Sequence, residues 1–266
     1  MQTSGIEMGA WRSAITGFDR ERIFTKGVQI EELMRCGNFG DIAFLLFKGH
    51  LPQPWESRLF NAVLIASADH GPTSPSTLAA RVIASGNRRA LEAAVAGGLL
   101  AIGDAHGGAG EEAMQVLREG LDEMTRTGAT PSMIARGIVQ RFAAQGRRLP
   151  GLGHRFHDVD PRAPVIWTMA RDERLPSGPV ELMLAIEEQL RAEKGRLLPI
   201  NVDGAIATVL VGLGFEPAIG RLAFLLGRCA GIAAHALEEL TREKPMRIKF
   251  AYAYDGPLPS DAEPAR

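Results

Sequence analysis

From Trp55 to Arg242 the apolar residues recur at three- to four-residue intervals, the period of one helix face, and strand-like alternation is nearly absent. A chain patterned this way folds as an all-α protein, because only packed helices bury stripes of that period. Helices are expected over Glu31–Met34, Phe39–Phe47, Trp55–Ala68, Ser76–Ser85, Arg89–Ile102, Ala109–Arg126, Pro131–Ala144, Pro164–Glu173, Pro179–Glu193, Ala205–Gly212 and Pro217–Arg242. Gly37-Asn38 separates the first two, and Pro54 and the run Asp69-His70-Gly71-Pro72 punctuate the third. The last stretch, PAIGRLAFLLGRCAGIAAHALEELTR, is apolar nearly all round, which predicts a helix in the middle of a bundle with Arg228 inside it. Only Met246–Tyr254 (MRIKFAYAY) alternates like an extended strand, and a loose terminus or arm is expected after it.

With 266 residues and 45% hydrophobic content, the chain can bury the core of one large domain or two modest ones. Thirty basic residues against 31 acidic ones leave no global field for nucleic acid or an anionic membrane, so an anionic ligand must be caught by a local cluster. An aromatic content of 6% also argues against base stacking. Cys36 and Cys229 form no disulfide framework and no metal-type spacing; both read as small buried apolar residues, and a reducing cytoplasm is expected. MQTSGIEMGAWRS has no leader-like apolar run, and no stretch of about 18 uncharged apolar residues follows, so a soluble protein is expected.

Three polar islands interrupt the apolar pattern. In GDAHGGAGEEAM, His106 precedes two glycines and a helix start. The positive end of a helix disfavours imidazolium, so His106 is either a neutral hydrogen-bond donor or a turn cap. In LPGLGHRFHDVDPRAP, the turn Pro150-Gly151-Leu152-Gly153 is expected to expose backbone N–H groups, with His154, His157, Asp158, Asp160 and Arg162 after it. A metal held by His154, His157 and an aspartate is conceivable at this spacing, but the neighbouring arginines would repel the ion, and no metal is expected. In PINVDGAIATVL, Asp203 follows a cap at Asn201 and opens an apolar helix. It is either a second capping residue or a partly desolvated carboxylate of raised basicity.

In this order, the islands resemble the citrate synthase superfamily. His106-Gly-Gly-Ala-Gly-Glu-Glu is similar to that family's first catalytic histidine loop, Gly151-Leu-Gly-His154 with Asp160-Pro-Arg162-Ala to its second, and Pro199-Ile-Asn-Val-Asp203 to its catalytic aspartate. Asp69-His70 and the Ser-Thr run after it resemble the helix end that supplies another oxo-acid-binding histidine, and the likeness extends from Ile30 to about Gly256. In length, and in the phrase AVAGGLLAIGDAHGGAGEEA, the chain looks closer to the short citryl-CoA lyase-like members than to a full-length citrate synthase.

The resemblance implies a large helical domain over residues 1–106 and 209–266, a small one over 107–208, and an active site in the cleft between them. Asp203 would be the base for the thioester α-proton, His106 the donor to the thioester oxygen, and His154 the partner of the keto or hydroxyl oxygen of the oxo-acid. Arg162, Arg228 and His70 would hold the carboxylates, although Arg228 could instead pair with an internal acid. An arginine from the partner subunit of a homodimer would complete the site; KPMRIKF offers Lys244 and Arg247, of which Arg247 is preferred. The turn at Pro150, Gly151, Leu152 and Gly153 would face coenzyme A, which enters as the thioester substrate, with no permanently bound cofactor. The eight-residue interval from His154 to Arg162 is one shorter than the family's, so phosphate contacts do not carry over through this loop. The expected reaction is cleavage of citryl-CoA or an analogue to acetyl-CoA and oxaloacetate. The alternative is condensation with thioester hydrolysis, as in a citrate or 2-methylcitrate synthase. A non-catalytic oxo-acid or acyl-CoA binder is disfavoured, because binding alone needs no base.

Overall fold

The computed structural model describes residues 12–104, 106–154 and 158–256, and within them eleven α-helices follow a short sheet. Helix α1 spans Ile30–Cys36, α2 Phe39–Lys48, α3 Pro54–Ala68, α4 Pro75–Gly86, α5 Leu91–Leu100, α6 Ala109–Thr127, α7 Pro131–Ala144, α8 Arg162–Asp172, α9 Gly178–Lys194, α10 Val202–Gly212 and α11 Ala218–Arg242. Each matches an expected stretch to within one turn. Pro54, Pro75, Pro131 and Pro179 sit in first turns, where a missing N–H costs nothing. Ser74, Thr130 and Asn201 accept helix amides on their side chains.

Two expectations about extended structure fail. Residues 246–254 form no strand: Phe250, Tyr252 and Tyr254 stay 64%, 88% and 62% exposed. Alternation makes a strand only against a sheet edge, and helices α4 and α11 offer none. The antiparallel sheet lies instead at the other end of the chain, as β1 (Thr16–Phe18), β2 (Ile23–Thr25) and β3 (Val28–Gln29). Strands of two or three residues are too short to show a period. The visible signal was Lys26-Gly27, both left-handed at φ 50° and 84°, which makes the tight turn between β2 and β3.

Helix α11 is not the enclosed helix that its composition suggests. Leu222 and Leu237 remain 42% and 50% exposed, and burial is confined to a stripe that includes Phe224, Arg228, Gly231, Ile232 and Glu239. Cys229, on the flank of that stripe, is a free thiol and only half-buried. The enclosed helix is α10, buried at every residue from Gly204 to Leu210 and surrounded by α3, α6, α8, α9 and α11.

Helices α3, α4, α5 and α11 pack on one another, and α6 to α10 form a second group. The main apolar core runs from Phe44 and Phe60 through Met114 and Leu182 to Ala223, and a second, smaller one, of Ala80, Ala84, Ala94, Ile232 and Ala236, lies between α4, α5 and α11. Phe44, Phe60 and Phe215 join α2 and α3 to the α10–α11 turn, with ring centroids 5.2 to 5.6 Å apart. Such pairs add about 0.5–1.5 kcal/mol each beyond buried area. The boundary drawn at residue 208 falls within α10, where the buried Thr208 hydroxyl accepts from Trp167 Nε1 of α8 at 3.0 Å. No helix of the described residues is long and apolar enough to cross a membrane.

Candidate active site

The α3–α4 turn brings the first histidine to the cavity. Helix α3 ends at Ala68 because Asp69 leaves helical geometry (φ −150°), and His70 follows into a cavity of about 180 Å³. The His70 ring meets the His154 ring edge-on, with centroids 5.1 Å apart.

His106 reaches the same cavity from a tight loop before α6. Its backbone N–H and C=O both pair with Gly103 at 2.9 Å, and Gly107, at φ 76°, turns the chain into the helix. Ser76 Oγ, buried in the first turn of α4, lies 2.9 Å from His106 Nε2, so two elements hold the ring. Phe224 of α11 closes one side at 6.2 Å between centroids.

The second and third islands are joined along their backbones. Leu152 pairs with Ile200, Gly153 N–H donates to Pro199 O at 2.7 Å, and Asn201 N–H donates to Gly151 O at 3.0 Å. Asn201 has two roles: its Oδ1 caps α10 through the amides of Asp203 and Gly204, and its Nδ2 donates to Gly153 O at 2.9 Å. The contact needs glycine on both sides, since a Cβ on Gly204 would lie 2.5 Å from Gly151 O and one on Gly151 would lie 2.7 Å from Gly204 Cα. His154 and Asp203 are thereby fixed across one cavity wall. Pro150 and Gly151 are buried, the Gly153 N–H is spent on Pro199, and of the four turn residues only Gly153 lines the cavity.

Charge is distributed unevenly. Asp160, fully buried, accepts from Arg162 Nε at 2.9 Å and Nη2 at 2.7 Å, and its Oδ2 lies 4.0 Å from His154 Nε2. Burial pushes the Asp160 carboxyl up, but the Arg162 fork outweighs it and holds the group below the usual carboxylate range. Arg162 Nη1 donates to Ala66 O at 3.1 Å, which ties the start of α8 to α3. Arg228 is 2% exposed; its Nε donates to Ser67 O at 2.7 Å, its guanidinium stacks 4.8 Å from the Phe224 centroid, and its buried Nη1 has no hydrogen-bond partner among the described residues. Burial lowers its pKa. Burial also dominates at Asp203, pushing the carboxyl from 3.8 up to about 6 against the pull of Arg162 and Arg228.

His70, His106, His154, Arg162, Asp203 and Arg228 therefore share one cavity. Arg247 does not join them: it pairs with Glu239 at 2.5 Å and Glu243 at 2.9 Å in its own chain, and Lys244 also lies outside the cavity wall. His157 falls outside the described residues. Among the described residues no group of three His, Cys, Asp or Glu side chains converges to hold a metal. Ser76 and Phe224 were not singled out from sequence. The one signal for Phe224 was its position one helical turn before Arg228.

Residues 52–249 match the family described as citrate synthase, C-terminal domain. The structure of citryl-CoA lyase from Hydrogenobacter thermophilus superposes with a TM-score of 0.84 at 34% identity, covering 94% of this chain and 96% of that one. A Methanosaeta concilii ATP citrate lyase, solved in complex with (3S)-citryl-CoA, shares the fold at a TM-score of 0.77 and 24% identity over 94% of this chain and 42% of its own. A Mycobacterium tuberculosis chain that carries a citrate synthase name is 35% identical over 217 residues, which cover 77% of this chain and 54% of that one. The chain thus spans between about a fifth and just over half of the length of the curated relatives it matches. From the family match, the shared fold and the three motifs meeting at one cavity, the chain belongs to the citrate synthase family.

Proposed function

We propose that the chain is a citryl-CoA lyase-like enzyme, cleaving citryl-CoA or a close analogue into acetyl-CoA and oxaloacetate. The supporting observation is the convergence of a carboxyl of raised pKa, three histidines and two arginines on one small cavity. The lyase direction draws support from the similarity to citryl-CoA lyase over nearly the whole of both chains.

In this reading His154 accepts the proton of the substrate's tertiary hydroxyl as that oxygen becomes the keto oxygen of oxaloacetate. The bond from the carbinol carbon to the thioester α-carbon breaks, and its electron pair moves into the thioester as an enolate. A hydrogen bond from His106 stabilises the enolate oxygen, and such donors contribute on the order of 3 kcal/mol in comparable sites. Asp203, entering as the carboxylic acid, protonates the α-carbon to give acetyl-CoA. One proton has passed from substrate to His154 and one from Asp203 to product, and solvent resets both groups. Arg228, with its unpartnered Nη1, takes a carboxylate of the oxo-acid, and Arg162 and His70 flank it.

The division into a large and a small helical domain that close on substrate belongs to the same proposal. So does a homodimer in which one subunit's C-terminal segment completes the other's cavity, which would require Arg247 to leave Glu239. The second reading, condensation with thioester hydrolysis, is favoured by the citrate synthase name of the Mycobacterium tuberculosis relative. Product analysis separates them. Acetyl-CoA and oxaloacetate formed from citryl-CoA support the lyase, free CoA released from acetyl-CoA plus oxaloacetate supports the synthase, and neither reaction would refute both.

A further inference from the structure

Helix α11 carries Arg228, Gly231 and His235 at i, i+3 and i+7, and this face meets the end of α3 at three successive residues. Arg228 Nε holds Ser67 O at 2.7 Å. Gly231 admits the Ala68 carbonyl, which a Cβ there would approach to 2.1 Å. His235 Nε2 lies 3.1 Å from Asp69 Oδ1. The other oxygen of that carboxylate, Asp69 Oδ2, accepts from Gly71 N–H at 3.1 Å. Asp69 therefore brackets His70, held by α11 on one oxygen and by the amide beyond the histidine on the other.

The orientation of the His235 ring follows from its second partner. His235 Nδ1 lies 3.3 Å from Arg81 Nη1. An arginine N–H can only donate, so Nδ1 accepts and the ring proton sits on Nε2, directed at Asp69. Arg81 is itself fixed by Glu238 at 2.7 Å and by the buried Glu239 at 3.0 Å. It belongs to α4, the helix whose first turn holds Ser76 against His106. His235 thus stands where the His70 turn, α4 and α11 meet, yet it forms no part of the cavity wall.

We propose that His235 is a positioning residue, donating to Asp69 and so setting the His70 ring beside His154 and Arg228 to fix the affinity for the oxo-acid. The inference rests on reading the cavity as an oxo-acid site. With Asp69 45% exposed, this hydrogen bond adds little to stability, and its consequence is the geometry of residue 70.

The test is titration of oxaloacetate, and separately of coenzyme A, into the full chain. His235→Ala is expected to raise the oxaloacetate Kd about tenfold and to leave the coenzyme A Kd within about twofold. His235→Gln, whose amide can still donate to Asp69, is expected to restore oxaloacetate binding to within about threefold. Asp69→Asn alone should weaken oxaloacetate comparably, and adding His235→Ala to it should cost nothing further, because effects acting through one contact do not add. An unchanged oxaloacetate Kd in His235→Ala, or equal weakening of both ligands, overturns the inference while the cavity assignment stands. Should His235→Ala not fold, an unchanged oxaloacetate Kd in Asp69→Asn overturns it in the same way. A wild-type chain that neither binds oxaloacetate nor turns over citryl-CoA removes the functional reading and this inference together.

Discussion

Asp160 spans the guanidinium of Arg162, taking Nε on one carboxylate oxygen at 2.9 Å and Nη2 on the other at 2.7 Å. One of the two cavity arginines is therefore already neutralised, whereas Arg228 buries a nitrogen that no group among the described residues satisfies. A buried donor without a partner gains most when an anion arrives, so the two arginines should respond differently to replacement.

Arg228→Gln is expected to weaken oxaloacetate binding by about 30-fold or more, the cost of removing one member of a buried charge pair. It should leave the melting temperature of the unliganded chain unchanged or raised. Arg162→Gln strands the fully buried Asp160 carboxylate, at a cost of about 3 kcal/mol or more. At roughly 2–4 °C per kcal/mol, that should lower the melting temperature by at least about 6 °C. Calorimetric titration and thermal melting of both variants check this; identical melting behaviour would argue against the pairing.

The raised pKa of Asp203 has a stability consequence. The folded chain holds the proton up to about 6, against 3.8 for the ordinary group, so the folded state binds more protons than the unfolded one between those values. Stability from this group is complete below about pH 4 and declines as pH rises through about 6. At about 1.36 kcal/mol per unit, the cost of the ionised form at neutral pH is at most about 3 kcal/mol. Asp203→Asn should thus melt above the wild type at about pH 7.5, with the gap closing towards about pH 4.5. A gap that persists at acid pH would exclude desolvation as its cause.

The same group sets the pH profile. Exchange of the acetyl-CoA α-proton needs the carboxylate and should fall about tenfold per unit below about pH 6, whereas citryl-CoA cleavage needs the acid and should fall above it. Profiles of kcat/KM in both directions test this, and parallel profiles would assign the titration to another residue.

Ser76→Ala removes the hydroxyl 2.9 Å from His106 Nε2. It should lower kcat for cleavage about tenfold and leave the oxaloacetate Kd unaltered, because the lost hydrogen bond orients the enolate donor and not the oxo-acid groups. A rise in Kd with kcat intact would place Ser76 in the oxo-acid site instead.

Much of this was legible in the sequence because helical period and punctuation act locally. Pro131 and Thr130 start α7 where the pattern says they should, and Asn201 marks the start of α10 two residues before Asp203. Five of the six cavity residues sit at turns or helix starts and Arg228 is a charge inside an apolar helix, and the family resemblance of those segments is what allowed the six to be named together. Contacts between distant segments left no such mark. That Asn201 also ties Gly153, that Ser76 meets His106, and that His235 reaches Asp69 depends on packing across 30 to 166 positions of sequence. The exposed flank of α11 was misread because composition does not record which side of a helix a neighbour covers, and Leu222 and Leu237 are as apolar as the buried Phe224. The alternation of MRIKFAYAY was misread because a period of two specifies a strand only where an edge is available.

Rapid mixing of citryl-CoA with the wild-type chain and with Asp203→Asn, sampled for acetyl-CoA and oxaloacetate, bears on the whole scheme. The wild type should release the two products in equal amounts, and Asp203→Asn should form them about 10²–10⁴-fold more slowly while still binding oxaloacetate. Turnover by Asp203→Asn at the wild-type rate would contradict the role given to that carboxyl and the mechanism built on it.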